Sequence, residues 1–93
     1  MPDLMKIGGV TGWLAAVAVC DAHAVPVSNH FYQEMSAHLL AATPAAHYLE
    51  YFGIADAVLR NPCVATDGFV SAMDAPGSGI EWDEDAVARF ALN

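Results

Sequence analysis

Residues 25–52 read VPVSNHFYQEMSAHLLAATPAAHYLEYF, and the change of pattern along this stretch decides the fold. Val25-Pro26-Val27-Ser28-Asn29 is short, apolar and β-branched, as expected of a strand buried in a parallel sheet. Pro26 suits the start of such a strand, where its missing N–H matters least. A helix is expected over Gln33 to Ala42, stopping ahead of Pro44 because proline disfavours helical backbone in the residue before it. His47-Tyr48-Leu49-Glu50-Tyr51-Phe52 then reads as the next strand.

Upstream, Met1 to Gly12 reads as the end of a strand followed by a loop, with Gly8-Gly9 permitting positive φ. Thr11 is the expected N-cap of a helix over Gly12 to Ala24. Trp13, Leu14, Val17 and Cys20 form its apolar stripe, and its other face is mostly alanine, which suits burial on two sides. The order is therefore strand, helix, strand, helix, strand with short connections. Such repeated βα units imply an α/β fold with a parallel sheet, open or closed into a barrel.

Downstream of Phe52 the pattern changes. Asp67-Gly68 is a turn signal between β-like runs at Cys63 to Thr66 and Phe69 to Met73. Residues 75–79 form a loop. Asp83 is the expected N-cap of a short final helix, with acids in its first turn that favour the helix dipole.

Composition narrows the function classes. The chain has 93 residues, 56% hydrophobic and 15% charged, which suits one small packed domain and excludes a disordered tail. Its eighteen alanines and two tryptophans suggest helices packed against something larger. A net charge of −8 with three basic residues, Lys6, Arg60 and Arg89, excludes a nucleic-acid partner, which needs clustered cations to displace counterions. Cys20 and Cys63 have no metal or redox spacing and are expected to be reduced thiols of a cytoplasmic protein. The apolar run from Val10 to Ala24 is broken by Asp21 and His23, short of the ~20 residues a membrane span needs. No membrane partner is expected.

In parallel α/β folds ligands sit at the carboxyl ends of the strands. Asp3, His30 and Glu50 fall at or just after three successive strand ends, so three titratable groups are delivered to one face. Each also has an ordinary reading. Asp3 could be a solvated acid near a terminus, and His30 a hydrogen-bonded histidine under a loop. Glu50 is harder to set aside, because an apolar strand rarely carries an unpaired carboxylate. His23, His38 and His47 lack carboxylate spacing that would suggest a metal cage and are read as surface or core residues.

The segment Met1-Pro2-Asp3-Leu4-Met5-Lys6-Ile7-Gly8-Gly9-Val10-Thr11-Gly12-Trp13 resembles the end of the sixth barrel strand in the mandelate racemase and muconate lactonizing enzyme family of the enolase superfamily. Pro26-Val27-Ser28-Asn29-His30 resembles the family's seventh strand. Ser36-Ala37-His38-Leu39-Leu40-Ala41-Ala42-Thr43-Pro44 and His47-Tyr48-Leu49-Glu50 resemble its seventh helix and eighth strand. Pro76-Gly77-Ser78-Gly79-Ile80-Glu81-Trp82 is similar to its closing loop. The likeness is closest to mandelate racemase, although Asn29 and Phe31-Tyr32 depart from the more usual Ser and Leu-Phe.

The resemblance implies a C-terminal fragment of a (β/α)8 barrel: the end of strand six through strand eight over residues 1–53, then a tail over 54–93 that packs on the capping region. It implies a Mg-dependent isomerase or lyase, a racemase or an acid-sugar dehydratase, that removes the proton α to the carboxylate of a small 2-hydroxy acid. His30 would be the base, Asp3 the carboxylate paired with it, and Glu50 the acid bonded to the substrate carboxylate. Lys6 and Asn29 would contact substrate at the mouth and beside the base. In the family the three metal carboxylates and a second base, a lysine, precede the sixth strand. The chain alone is therefore expected to bind no Mg, to be inactive and to self-associate through unpaired edges. The alternative is a non-catalytic, self-associating small α/β module or a truncated gene product.

Overall fold

The computed structural model describes residues 1–92. In chain order these form helices α1 (Gly9–Ala22) and α2 (Gln33–Ala41), a 3-10 turn (Asp56–Val58), strands β1 (Ala65–Thr66) and β2 (Phe69–Val70), and helix α3 (Glu84–Phe90).

The three expected parallel strands are present as extended segments that meet at single points. Asp3 bridges His30 and Val27 bridges Ala46, both in parallel sense, so the segment 27–30 lies between the other two. The His30 amide donates to the Pro2 carbonyl at 3.0 Å, and the His47 amide to the Val27 carbonyl at 2.8 Å. Beyond Val27 the backbone ladder gives way to side chains. The Tyr48 amide donates to Ser28 Oγ at 3.1 Å, and the Glu50 amide to Asn29 Oδ1 at 2.6 Å. Full strands over 25–29 and 47–52 are thus a correction: polar side chains replace the backbone rungs where the strands end.

α1 begins earlier than expected. Its N-cap is Gly8, at a φ of 91° that glycine adopts without a steric penalty, and Thr11 lies inside the first turn rather than capping it. The turn Asp3–Gly9 is closed by amide bonds from Ile7 to Asp3 and from Gly9 to Leu4. Gly12 is required by packing, since a β-carbon there would sit 1.7 Å from the Ile7 carbonyl oxygen. Only Trp13 and Val17 of the expected stripe are buried; Cys20 is half-buried and Leu14 is 53% exposed. The alanine-rich face, with Val10, Ala15, Ala18 and Val19, is open rather than covered on two sides.

Leu4, Trp13, Val17, Val27 and Leu40 form the core, so both helices pack across the parallel segments. The Trp13 indole donates to Thr43 Oγ1 at 3.1 Å, tying α1 to the end of α2, as a buried indole N–H requires. Asp67 and Gly68 take positive φ at the β1–β2 turn, the geometry that matches hairpin twist. Asp83 caps α3 by accepting the Ala86 amide at 3.0 Å. Among the described residues no helix is long and apolar enough to cross a membrane.

Candidate active site

Asp3 and His30 stand on neighbouring segments, and their bridge brings the side chains together. His30 Nδ1 lies 3.0 Å from Asp3 Oδ2. With the carboxylate accepting from Nδ1–H, the imidazole is fixed in the tautomer that leaves Nε2 as a free base. The other carboxylate oxygen, Asp3 Oδ1, accepts the amides of Met5 at 2.9 Å and Lys6 at 3.0 Å. The Lys6 amide holds the Asp3 carboxyl below its ordinary value; the His30 and Met5 bonds and the Lys6 charge act the same way, against burial. Asp3 thus stays ionised, able to hold a protonated imidazole.

The Asp3–His30 pair opens onto a shallow depression lined by Met1, Asp3, Lys6, Ile7 and His30. The Lys6 ammonium lies 4.0 Å from Asp3 on an 82% exposed side chain, so it stands at the rim. Such a loosely held pair contributes little by itself.

Glu50 joins the site through the backbone. Its Oε2 accepts the amide of Phe31, the residue directly after His30, at 2.8 Å. Asn29 differs from expectation. It was expected to touch substrate, yet it is fully buried, and its amide is spent on the backbone of Phe31 and Glu50.

Phe31 and Tyr32 follow His30 with φ of 58° and 52°, a left-handed pair that bulky residues rarely adopt. The Phe31 ring packs edge-on against the His30 imidazole, with centroids 4.8 Å apart, and lies 5.0 Å from the Phe52 ring. Gln33 was not singled out in the sequence. Its Oε1 accepts the amides of Phe52 at 2.9 Å and Gly53 at 3.1 Å, fixing the chain just beyond Glu50. Ser36, also missed, donates to the Phe31 carbonyl at 3.0 Å.

Among the described residues no three His, Cys, Asp or Glu side chains come together to hold a metal ion. Both cysteines are free, and burial pushes the Cys63 thiol up, with Glu34 and Asp56 adding to the effect.

Known proteins share this fold across almost the whole chain. A solved enolase from Bradyrhizobium, complexed with magnesium and mandelic acid, is 47% identical and superposes with a TM-score of 0.93 over 100% of this chain and 26% of its own. An L-talarate/galactarate dehydratase from Salmonella typhimurium, liganded with Mg and L-lyxarohydroxamate, is 27% identical with a TM-score of 0.85, over 99% of this chain and 24% of its own. A 3,6-anhydro-α-L-galactonate cycloisomerase of Streptomyces coelicolor is 34% identical over 98% of this chain and 26% of its own length. The chain thus spans about a quarter of the length of the relatives it matches. Its parallel segments and helices are part of a (β/α)8 barrel. Residues 1–86 match the enolase C-terminal domain-like family, and the chain belongs to it.

Proposed function

We propose that this chain supplies the proton-transfer half of an active site that removes the proton α to a carboxylate in a 2-hydroxy or polyhydroxy acid. The observation that carries this reading is the 3.0 Å contact between His30 Nδ1 and Asp3 Oδ2 at adjoining strand ends. His30 Nε2 takes the proton, and Asp3 stabilises the imidazolium and holds its orientation. The free oxygen of Glu50, Oε1, faces the substrate carboxylate while Oε2 stays on the Phe31 amide. In this role the Glu50 acid carries its proton on Oε1, and the hydrogen bond that this O–H donates strengthens as negative charge moves from carbon to oxygen.

The relatives' structures contain magnesium, but the side chains described here do not gather into a magnesium site. No step of this chain's own chemistry is assigned to the metal, and the chain by itself is inactive on this reading. The complete barrel is either an isomerase or a lyase; both share proton removal and differ in what departs afterwards.

The test is a fusion of this chain behind the preceding strands of the Bradyrhizobium barrel, kept in its relative's register. Exchange of the α-proton with solvent deuterium is followed by NMR for mandelate and for galactarate, with and without Mg²⁺. Exchange that is lost in His30→Asn supports the reading. Exchange that persists undiminished for both enantiomers of mandelate in His30→Asn, or no exchange from a folded fusion, overturns it; the second base expected on the preceding strands accounts for exchange of one enantiomer only.

A second reading, a self-associating non-catalytic module, is favoured by one observation. Val10, Leu14 and Val19 leave α1 with an uncovered apolar side. An exposed face of this kind marks an association surface.

A further inference from the structure

We propose that Asn29 is a positioning residue that holds the base and the acid of this site in fixed relation, through backbone and not through substrate. The inference rests on the reading of His30 and Glu50 given above.

Three residues form a closed ring of hydrogen bonds. Asn29 Nδ2 donates to the Phe31 carbonyl at 2.8 Å, and Asn29 Oδ1 accepts the Glu50 amide at 2.6 Å. The ring closes where the Phe31 amide donates to Glu50 Oε2 at 2.8 Å. A longer contact of 3.3 Å runs from Asn29 Nδ2 to the Glu50 carbonyl. Asn29 has no exposed surface, so water cannot replace these partners.

The ring encloses the backbone of His30. On one side His30 is attached to Asn29, and on the other to Phe31, the first of two consecutive left-handed residues. Sparsely populated backbone of this kind persists only where its surroundings over-determine it, and it clusters at functional sites. Here the Phe31 carbonyl is held by Asn29 and Ser36 and its amide by Glu50. Releasing Asn29 frees the turn that aims the imidazole and detaches the strand end that carries Glu50. Both catalytic groups then lose their mutual geometry at once. Misplacement of about 1 Å costs on the order of a hundredfold in rate.

The experiment uses the barrel fusion with Asn29→Ala and Asn29→Asp. The aspartate keeps the acceptor for the Glu50 amide but loses the donor to the Phe31 carbonyl. Expected is a fall in kcat on the order of 10- to 100-fold in both, with KM changed less than about threefold. Hydrogen exchange at the Phe31 amide should accelerate at least tenfold while exchange at the core amides of Trp13 and Val17 is unchanged. Should Asn29→Ala fail to fold, Asn29→Asp and Ser36→Ala carry the same measurements. A kcat within twofold of the parent in Asn29→Asp, or unaltered exchange at Phe31, overturns the proposal. If the parent fusion exchanges no α-proton, the functional reading fails by itself, and Phe31 amide exchange still decides the role of Asn29.

Discussion

The Phe31 amide donates to the Glu50 carboxylate across nineteen residues, at 2.8 Å, so this glutamate, besides the role proposed for it, holds the loop that follows His30. Two roles can be separated by substitution. Glu50→Gln keeps an acceptor for the amide and should leave stability nearly unchanged while removing most activity. Glu50→Ala removes the acceptor as well and should lower stability by about 0.5–1.5 kcal/mol, the net contribution of an ordinary hydrogen bond. Denaturant unfolding of the two variants of the barrel fusion checks this. Equal loss in both would sink the anchoring role.

The Asp3 carboxyl is held below its ordinary value of 3.8, first by the Lys6 amide, with the His30 imidazole and the Met5 amide adding to it. A carboxyl lowered in the folded state contributes stability that is complete above its ordinary value and lost as pH falls through its folded value. Stability of the fusion should therefore decline below pH 3.8, and Asp3→Asn should flatten that decline. The same variant should cut activity on the order of 10⁴-fold, because an amide can hold the imidazole in the wrong tautomer. Thermal melts from about pH 2 to about pH 7, a range that brackets the ordinary aspartate value, and proton-exchange rates measure the two effects.

A methyl group at residue 12 has no room. Gly12→Ala places a β-carbon 1.7 Å from the Ile7 carbonyl oxygen, and backbone cannot swing aside as a side chain can. The turn that carries Asp3 must shift, at about 1–3 kcal/mol. Both the melting temperature and proton exchange should fall, whereas Gly68→Ala, with open space around it, should disturb only the hairpin. Unchanged activity in Gly12→Ala would show that the turn is not what positions Asp3.

Leu14 is 53% exposed, and Val10 and Val19 of the same helix are exposed too. The 93-residue chain alone should self-associate through these side chains. Leu14→Glu should return it to a monomer, as read by light scattering coupled to gel filtration. A monomeric parent chain would remove the second reading.

Local chemistry made much of this molecule legible. Alternating β-branched and helical periods set out the βα order, and Asp67-Gly68 and Asp83 marked a hairpin turn and a helix cap by rules that act within four residues. The pairing of Asp3 with His30 was also within reach, because successive parallel segments bring their ends to one face. The direction of Leu14 was not, since helical spacing gives a stripe but not its partner, and this chain covers only the side bearing Trp13 and Val17.

Tertiary structure alone decided the ring through Asn29, Phe31 and Glu50. Two of its three bonds join residues nineteen and twenty-one apart, and no local preference favours two aromatic residues in left-handed backbone. Sequence by itself determined which groups could do chemistry. Their relative placement followed from a buried amide satisfying backbone donors and acceptors that the short parallel segments leave unpaired.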